Sequence, residues 1–186
     1  MKKFELTTDS IKRNGVTLYR IKSLIDFEDV KAGDLGGYVE KEENLSQSGN
    51  AWVYGNAQVY RNALVCDDAL VCDDARVSGN ARVYGNAWVS GNAWVYGNAE
   101  VSGDACVSGD ALVSDNADYI YLKGFGSHNR STTMFRAKGG NICVSCGCFS
   151  GTLEEFESKV KETHGSNKFA REYLALVEAA KIHFEV

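Results

Sequence analysis

The residues best suited to chemistry lie together in residues 119–153, a stretch without any Asp or Glu. The side chains of interest are Tyr121, Lys123, Phe125, His128, Arg130, Arg136 and Lys138. Basic side chains bind phosphate, aromatic rings stack on nucleobases, and glycine-rich turns let a ligand approach the backbone. We therefore predict that these seven residues bind an anionic ligand, with Tyr121 or Phe125 as the stacking ring.

The acid-free stretch also permits a simpler interpretation, in which it forms an ordinary hairpin. Its basic side chains would then pair with the acidic residues of segment 153–163. Neither a P-loop nor a dinucleotide-binding fingerprint occurs in the sequence. Both interpretations therefore stay open at this point.

Three cysteines in the same stretch have a spacing that suggests metal binding. Cys143, Cys146 and Cys148 form C-x-x-C-x-C, and His164 follows downstream. On a strand, Cys146 and Cys148 would share one face and Cys143 the other, which is poor geometry for tetrahedral zinc. A nucleophilic pair of Cys148 with His164 lacks a recognisable orienting group and oxyanion hole. We favour small buried thiols and predict no metal, no cofactor and no catalytic residue.

A second candidate for metal binding is a group of four aspartates, Asp67, Asp68, Asp73 and Asp74, in two copies of A-L-V-C-D-D. Clustered carboxylates bind hard cations such as Ca²⁺. However, aspartate is also an ordinary turn residue, and the two pairs fall at successive turns of a repeat. We therefore predict turns, with Cys66 and Cys72 as outward thiols.

The element that must position these residues is a six-residue repeat. Ala-x-Val-x-x-(Asn/Asp) occurs eleven times without interruption in residues 51–116. Ala and Val two residues apart point to the same side of a strand, and Gly-Asn or Asp-Asp pairs favour turns. Each hexad is therefore predicted to be a short strand and a bend, and stacking of the hexads buries their apolar side.

The hexads V-Y-G-N-A-W, V-S-G-N-A-W and V-S-G-D-A-C resemble the hexapeptide-repeat, left-handed parallel β-helix family. The resemblance implies three hexads in each 18-residue coil, and frequently a homotrimer. Acyltransferases of this family use a histidine between coils, and its carbonic anhydrases use a histidine cluster for zinc. Residues 51–116 contain no His, so we predict that the protein is not an enzyme.

Three hexads per coil would place every third hexad on one face of the solenoid. The residue after each Ala then forms an outward row, and one row consists of Trp52, Leu70, Trp88 and Cys106. Trp94 belongs to the next face. An exposed apolar row is typical of a contact surface, so we predict an oligomer interface or a partner interface at these five residues.

The regions outside the repeat predict three parts: an N-terminal β cap (1–35), the solenoid (36–118) and a small α+β module (119–186). In the module, strands are expected over 119–124, 132–136 and 141–149. Thr152 and Glu155 form a capping box, so a helix should begin there and end near residue 163. A second helix is expected over 167–182, with Phe169, Tyr173, Val177 and Ala180 on its buried side.

The net charge of −5 argues against a general nucleic-acid coat, and the N-terminus lacks the apolar core of a signal peptide. The stretch D-L-G-G-Y-V-E resembles the beginning of solenoid proteins that are often found in phages, and C-G-C-F-S-G-T-L-E-E-F resembles part of a C-terminal module of phage proteins. We therefore expect a non-catalytic, phage-encoded accessory protein in the host cytoplasm, without membrane contact, that sequesters a nucleotide immune signal. One alternative is an inhibitor that docks a host defence protein or nuclease through the solenoid. Another is a structural trimeric phage protein.

Overall fold

The computed structural model describes residues 2–186 and begins with an antiparallel hairpin. Strand β1 (Phe4–Arg13) pairs with β2 (Val16–Ser23), and Asn14-Gly15 forms the turn with positive φ at both residues. Strand β3 (Leu35–Val39) pairs antiparallel with β2 and parallel with the first strand of one solenoid sheet. The hairpin is therefore continuous with the solenoid through backbone hydrogen bonds.

The solenoid consists of eleven two-residue strands, one for each hexad, as the repeat predicts. They are β4 (Trp52–Val53), β5 (Gln58–Val59), β6 (Leu64–Val65), β7 (Leu70–Val71), β8 (Arg76–Val77), β9 (Arg82–Val83), β10 (Trp88–Val89), β11 (Trp94–Val95), β12 (Glu100–Val101), β13 (Cys106–Val107) and β14 (Leu112–Val113). They form three parallel sheets, ordered β3-β5-β8-β11-β14, β4-β7-β10-β13 and β6-β9-β12. Trp52 pairs with Leu70 and Leu70 with Trp88, which confirms a coil of 18 residues.

The first and third positions of the repeat build the core. Every repeat Ala and Val from Ala51 to Val113 is at most 1% exposed. Because these side chains are small and similar in size, successive coils stack without gaps or bulges. The predicted parallel β-helix is therefore confirmed.

The last two positions of the repeat build the corners. Gly79 has φ +73°, and a Cβ there would lie 2.9 Å from the backbone nitrogen of Gly97 in the next coil. Only glycine combines this left-handed conformation with such close stacking. The following residue forms a ladder between coils: the Asn62 amide donates to Asn80 (3.1 Å), and the Asn80 amide donates to Asn98 (3.0 Å).

The C-terminal module is a four-stranded antiparallel sheet with two helices. The strands are β15 (Tyr119–Phe125), β16 (Arg130–Arg136), β17 (Ile142–Cys146) and β18 (Phe149–Thr152), in sequence order. On one face, Met134 and Val144 pack against the helices. On the other face, Phe135 and Cys143 pack against the end of the solenoid core. The sheet therefore closes the last coil.

The two helices are α1 (Leu153–His164) and α2 (Lys168–Phe184), and the predicted capping box is present. The Thr152 hydroxyl accepts from the Glu155 backbone nitrogen at 3.2 Å, and the Glu155 carboxylate accepts from the Thr152 nitrogen at 2.8 Å. Phe169, expected on the buried side of α2, packs instead against the His164 ring. Within residues 2–186, no helix is long and apolar enough to span a membrane.

One predicted strand, over residues 141–149, is wrong. Strand β17 ends at Cys146 and β18 begins only at Phe149, because the chain turns at Gly147, which has φ +60°. The turn places Cys148 at an exposed tip between β17 and β18.

Candidate ligand-binding site

The structure does not bring the seven predicted ligand-binding residues together. Strand β16 separates Arg130 at its beginning from Arg136 at its end. Six residues of extended strand span about 20 Å, which is too far for one small ligand. The seven residues instead fall into three groups with different surroundings.

Tyr121 and Lys123 form the first group, and both contact Asp104 of the solenoid. The Lys123 ammonium forms an ion pair with the Asp104 carboxylate, and the Tyr121 hydroxyl donates to the same oxygen at 3.2 Å. The ion pair with Lys123, together with the Asn86 amide, lowers the pKa of Asp104 to about 2. These two residues therefore join the C-terminal sheet to the solenoid, and we exclude them from the ligand site.

Arg136 and Lys138 form the second group. The Arg136 guanidinium lies 3.3 Å from the Asp118 carboxylate and donates to the Phe184 carbonyl at the end of α2 (3.1 Å). The guanidinium also lies over the Phe184 ring, 5.3 Å from the ring centroid. These contacts give Arg136 a structural role, because they hold the end of α2 against the sheet. Lys138 is exposed on the next turn, and its backbone nitrogen donates to the Asp110 carbonyl. The expected pairing with segment 153–163 is wrong for Lys123 and Arg136, whose acidic partners lie before β15.

The third group, His128 and Arg130 with Phe125 nearby, lies at a cleft. We call it the Arg130 cleft; it has a volume of about 450 Å³ and lies between the β15–β16 turn, the β17–β18 turn and α1. The lining residues are Ser127, His128, Arg130, Cys146, Cys148, Phe149, Phe156, Lys159, Val160, Thr163, His164 and Tyr173. Among residues 2–186, no carboxylate lines this cleft. Phe125 packs against the apolar cluster between the C-terminal sheet and the helices, and it does not line the cleft.

Arg130 is the partly buried cation of the cleft. Within the described chain, no carboxylate forms an ion pair with it. Its guanidinium lies against the backbone of Gly147, where a Cβ would collide with it. Desolvating a cation without a partner is unfavourable, so this position favours an anion from outside the chain.

Two further basic side chains of the cleft, Lys159 and His164, come from α1. Lys159 lies at its rim and forms an ion pair with Glu162 (2.8 Å). The His164 ring packs against the Tyr173 ring in a tilted arrangement, with centroids 5.9 Å apart and an angle of 30° between the planes. Burial raises the pKa of the Tyr173 hydroxyl to about 12, so this group stays neutral at physiological pH. The cleft therefore combines arginine, lysine and histidine side chains with the aromatic rings of Phe149, Phe156 and Tyr173.

These residues of α1 and α2 were missed by sequence reasoning. Lys159 and Thr163 lie four residues apart on α1, and this i, i+4 spacing could have indicated a shared polar side. Nothing in the local sequence indicates that this side faces His128 and Arg130, because the contact is made between distant segments.

The three C-terminal cysteines lie in different surroundings. Cys143 packs against the solenoid core, whereas Cys146 packs against the helices, so the predicted opposition of these two residues is confirmed. The expectation that Cys146 and Cys148 share a strand face is wrong, because Cys148 lies in the turn. Burial raises the pKa of Cys143, which keeps the thiol protonated and a weak metal ligand.

The four corner aspartates each have a structural partner. Asp67 and Asp73 accept from the backbone nitrogens of Gly85 (3.1 Å) and Gly91 (2.9 Å) in the next coil. Asp68 and Asp74 accept from residues 50 and 56 of the preceding coil. Within residues 2–186, no group of three or more potential ligands has metal-binding geometry. All four aspartates lie in the turns between strands, as the repeat predicts.

The apolar row on the solenoid is interrupted, which corrects one expectation. Its register is confirmed, but Trp52 is only 1% exposed, because Phe4 and Phe27 of the N-terminal region cover it at ring distances of 6.2 and 5.4 Å. Cys106 is partly covered by β16, since its backbone nitrogen donates to the Thr133 hydroxyl at 3.0 Å. Trp88 is 50% exposed and is the main accessible member of the row.

Trp94, on the neighbouring sheet, is partly buried. Its indole N–H donates to the Ser78 hydroxyl at 3.0 Å, and its ring packs against Tyr96 with centroids 4.6 Å apart. Its polar atom and part of its ring are therefore engaged within the chain.

Two matches to known proteins bear on the fold. A family model described as the YdcK beta solenoid repeat matches residues 75–91. The "Uncharacterized acetyltransferase YdcK" of Escherichia coli (strain K12) is 43% identical over 51 residues. That match spans 27% of this chain and only 15% of the relative, so it supports the fold and not an activity. The repeat, the stacked coils and both matches agree that the chain contains a hexapeptide-repeat parallel β-helix.

Proposed function

We propose that this protein is a non-catalytic binding protein that sequesters a nucleotide in the Arg130 cleft. The observation that carries the proposal is the Arg130 guanidinium, which is partly buried, has no ion-pair partner in residues 2–186 and lies in a cleft lined by no carboxylate. A phosphate accepts two parallel hydrogen bonds from a guanidinium. The rings of Phe149, Phe156 and Tyr173 supply apolar surface for a base.

The cleft also has a suitable size for this class of ligand. Pockets that enclose small molecules have volumes of about 300–1,000 Å³, and the Arg130 cleft has about 450 Å³. Its lining contains Cys146 and Cys148, but Cys146 accepts from the Thr132 hydroxyl at 3.2 Å and Cys148 is exposed. We assign binding and no covalent step to these thiols.

The biological setting belongs to the same proposal. We infer that the protein is phage-encoded, that it acts in the host cytoplasm, and that its ligand is a nucleotide signal of host immunity. The basis is the resemblance of its sequence to segments of phage proteins. A homotrimer follows from the same resemblance. The alternative of an inhibitor that docks through the whole solenoid row loses support because Trp52 is buried. The alternative of a structural trimer does not depend on that row.

The test is calorimetric titration of the protein with AMP, GMP, CMP and UMP. We expect at least one to bind, and Arg130→Ala to weaken its affinity about 10- to 100-fold, because hydrogen bonds to charged groups contribute about 1.5–3 kcal/mol. Arg130→Lys should retain part of the affinity. Lys138→Ala is the matched control, since Lys138 is exposed outside the cleft, and it should bind as the unmodified protein does.

Two results would contradict the proposal. One is the absence of binding by all four mononucleotides. The other is unchanged affinity in Arg130→Ala, provided that its thermal unfolding matches that of the unmodified protein.

A further inference from the structure

A second cavity adjoins the Arg130 cleft. We call it the Trp88 groove; it has a volume of about 610 Å³ and lies between the solenoid and the edge of the C-terminal sheet. Trp88 and Cys106 line it from the solenoid side. Arg130, Cys148 and Phe149 line both cavities, so the two meet at the unpaired guanidinium.

The chemistry of the groove differs from that of the cleft. Its polar lining is mostly hydroxyl groups, from Ser90, Ser108, Ser131, Thr133, Ser145 and Ser150. Neutral hydroxyls both donate and accept hydrogen bonds, which suits sugar and base edges. The carboxylate in the lining, Asp104, is already paired with Lys123. The groove is therefore suited to a neutral, hydrogen-bonding part of a ligand.

Trp88 supplies an aromatic surface in this groove. Its side chain is 50% exposed, whereas Trp52 is 1% exposed, although both occupy the same position of the repeat. A half-exposed tryptophan beside a cavity offers a ring on which a base of any type can stack.

We propose that the ligand is a dinucleotide, with two nucleosides joined through phosphate. One base occupies the Arg130 cleft, a phosphate lies at the Arg130 guanidinium where the cavities meet, and the second base stacks on Trp88. This inference rests on the proposed function, because it takes the Arg130 cleft as the first binding compartment. It adds the class of ligand and the role of Trp88.

The experiment compares pApA, pGpG, pCpC and pUpU with the matching 5′-mononucleotides by calorimetric titration. We expect at least one dinucleotide to bind about tenfold tighter, or more, than its mononucleotide, as one added base stack predicts. Trp88→Ala should remove that gain without changing mononucleotide affinity. Trp88→Phe should retain part of it, and Trp94→Ala, on the neighbouring sheet, should leave it intact.

The outcomes separate this inference from the proposed function. If mononucleotides bind through Arg130 but no dinucleotide binds tighter, the dinucleotide inference is wrong and the proposed function stands. If the gain persists in Trp88→Ala, the second base does not stack on Trp88 and the inference is equally overturned. If neither ligand class binds, the proposed function fails as well.

Discussion

Two tryptophans on one solenoid sheet differ in what covers them. Trp52 in the first coil is packed against Phe4 and Phe27, whereas Trp88, two coils further on, is half exposed beside a groove. Both residues follow a repeat Ala and point outward in the same row. The repeat therefore determines the direction of a side chain, and the segments outside the repeat determine whether it is buried.

The N-terminal and C-terminal ends of the solenoid also differ in the surroundings of their charged side chains. At the N-terminal end, Lys3 is 1% exposed and its ammonium donates to the carbonyls of Gly49 (3.2 Å) and Ala51 (2.9 Å). At the C-terminal end, Asp104 and Lys123 form a partly exposed ion pair between the solenoid and the sheet. A buried charge and a solvent-accessible pair should respond differently to pH.

The largest expected effect is the difference in unfolding free energy between alanine variants of the two tryptophans. Trp52→Ala should lower the free energy of unfolding by about 3–5 kcal/mol, because it leaves a cavity beneath Phe4 and Phe27. Trp88→Ala should lower it by less than about 1 kcal/mol, since half of that side chain is already in water. Urea denaturation of the two variants measures both losses, and equal losses would contradict the contrast between the buried and the exposed tryptophan.

The next effect concerns Lys3. Burial lowers its pKa from 10.5 to about 8, although the nearby Asp68 carboxylate opposes this shift. Between pH 8 and 10.5 the unfolded chain therefore holds more protons than the folded chain, so stability should rise with pH in this window, by about 1–3 kcal/mol.

The measurement is urea denaturation at several pH values between 8 and 10.5. Lys3→Met should lack the part of the rise that Lys3 causes, and Lys2→Met, an exposed neighbour, should retain it. Identical pH slopes in Lys3→Met and the unmodified protein would show that Lys3 is not the titrating group.

The smallest effect is at the opposite end. Because the pKa of Asp104 is lowered from 3.8 to about 2, its contribution to stability is present above pH 3.8 and is lost as the pH falls toward 2. The side chains of this pair are 32% and 62% exposed, so the loss should stay below about 1 kcal/mol. Asp104→Asn should unfold with a shallower pH dependence in acid than the unmodified protein, and an unchanged dependence would contradict this assignment.

Much of the fold could be predicted because the relevant signals are local. The repeat places Ala and Val inward at every coil, and Thr152 with Glu155 marks the beginning of α1. Both signals depend on residues a few positions apart. The break at Gly147 was missed because the flanking residues also suit a continuous strand.

Less of the candidate site could be predicted. The acid-free stretch predicted a ligand site at seven residues; of these, His128 and Arg130 line a cleft, whereas Lys123 and Arg136 pair with acidic residues of the chain. Their partners, Asp104 and Asp118, precede the stretch in sequence, and the sequence does not show which cations they neutralise. Local charge composition identified a basic segment, but not which of its cations have an acidic partner and which, such as Arg130, have none.

The sequence by itself determined the 18-residue coil, the apolar core and the direction of each outward residue, because a short repeat imposes the same local geometry on every copy. The tertiary structure alone decided that Trp52 is covered, that Trp88 is exposed and that Arg130 is left without an acidic partner. These outcomes depend on contacts between segments that are distant along the chain. Burial and charge pairing are properties of such contacts, so no periodic pattern encodes them.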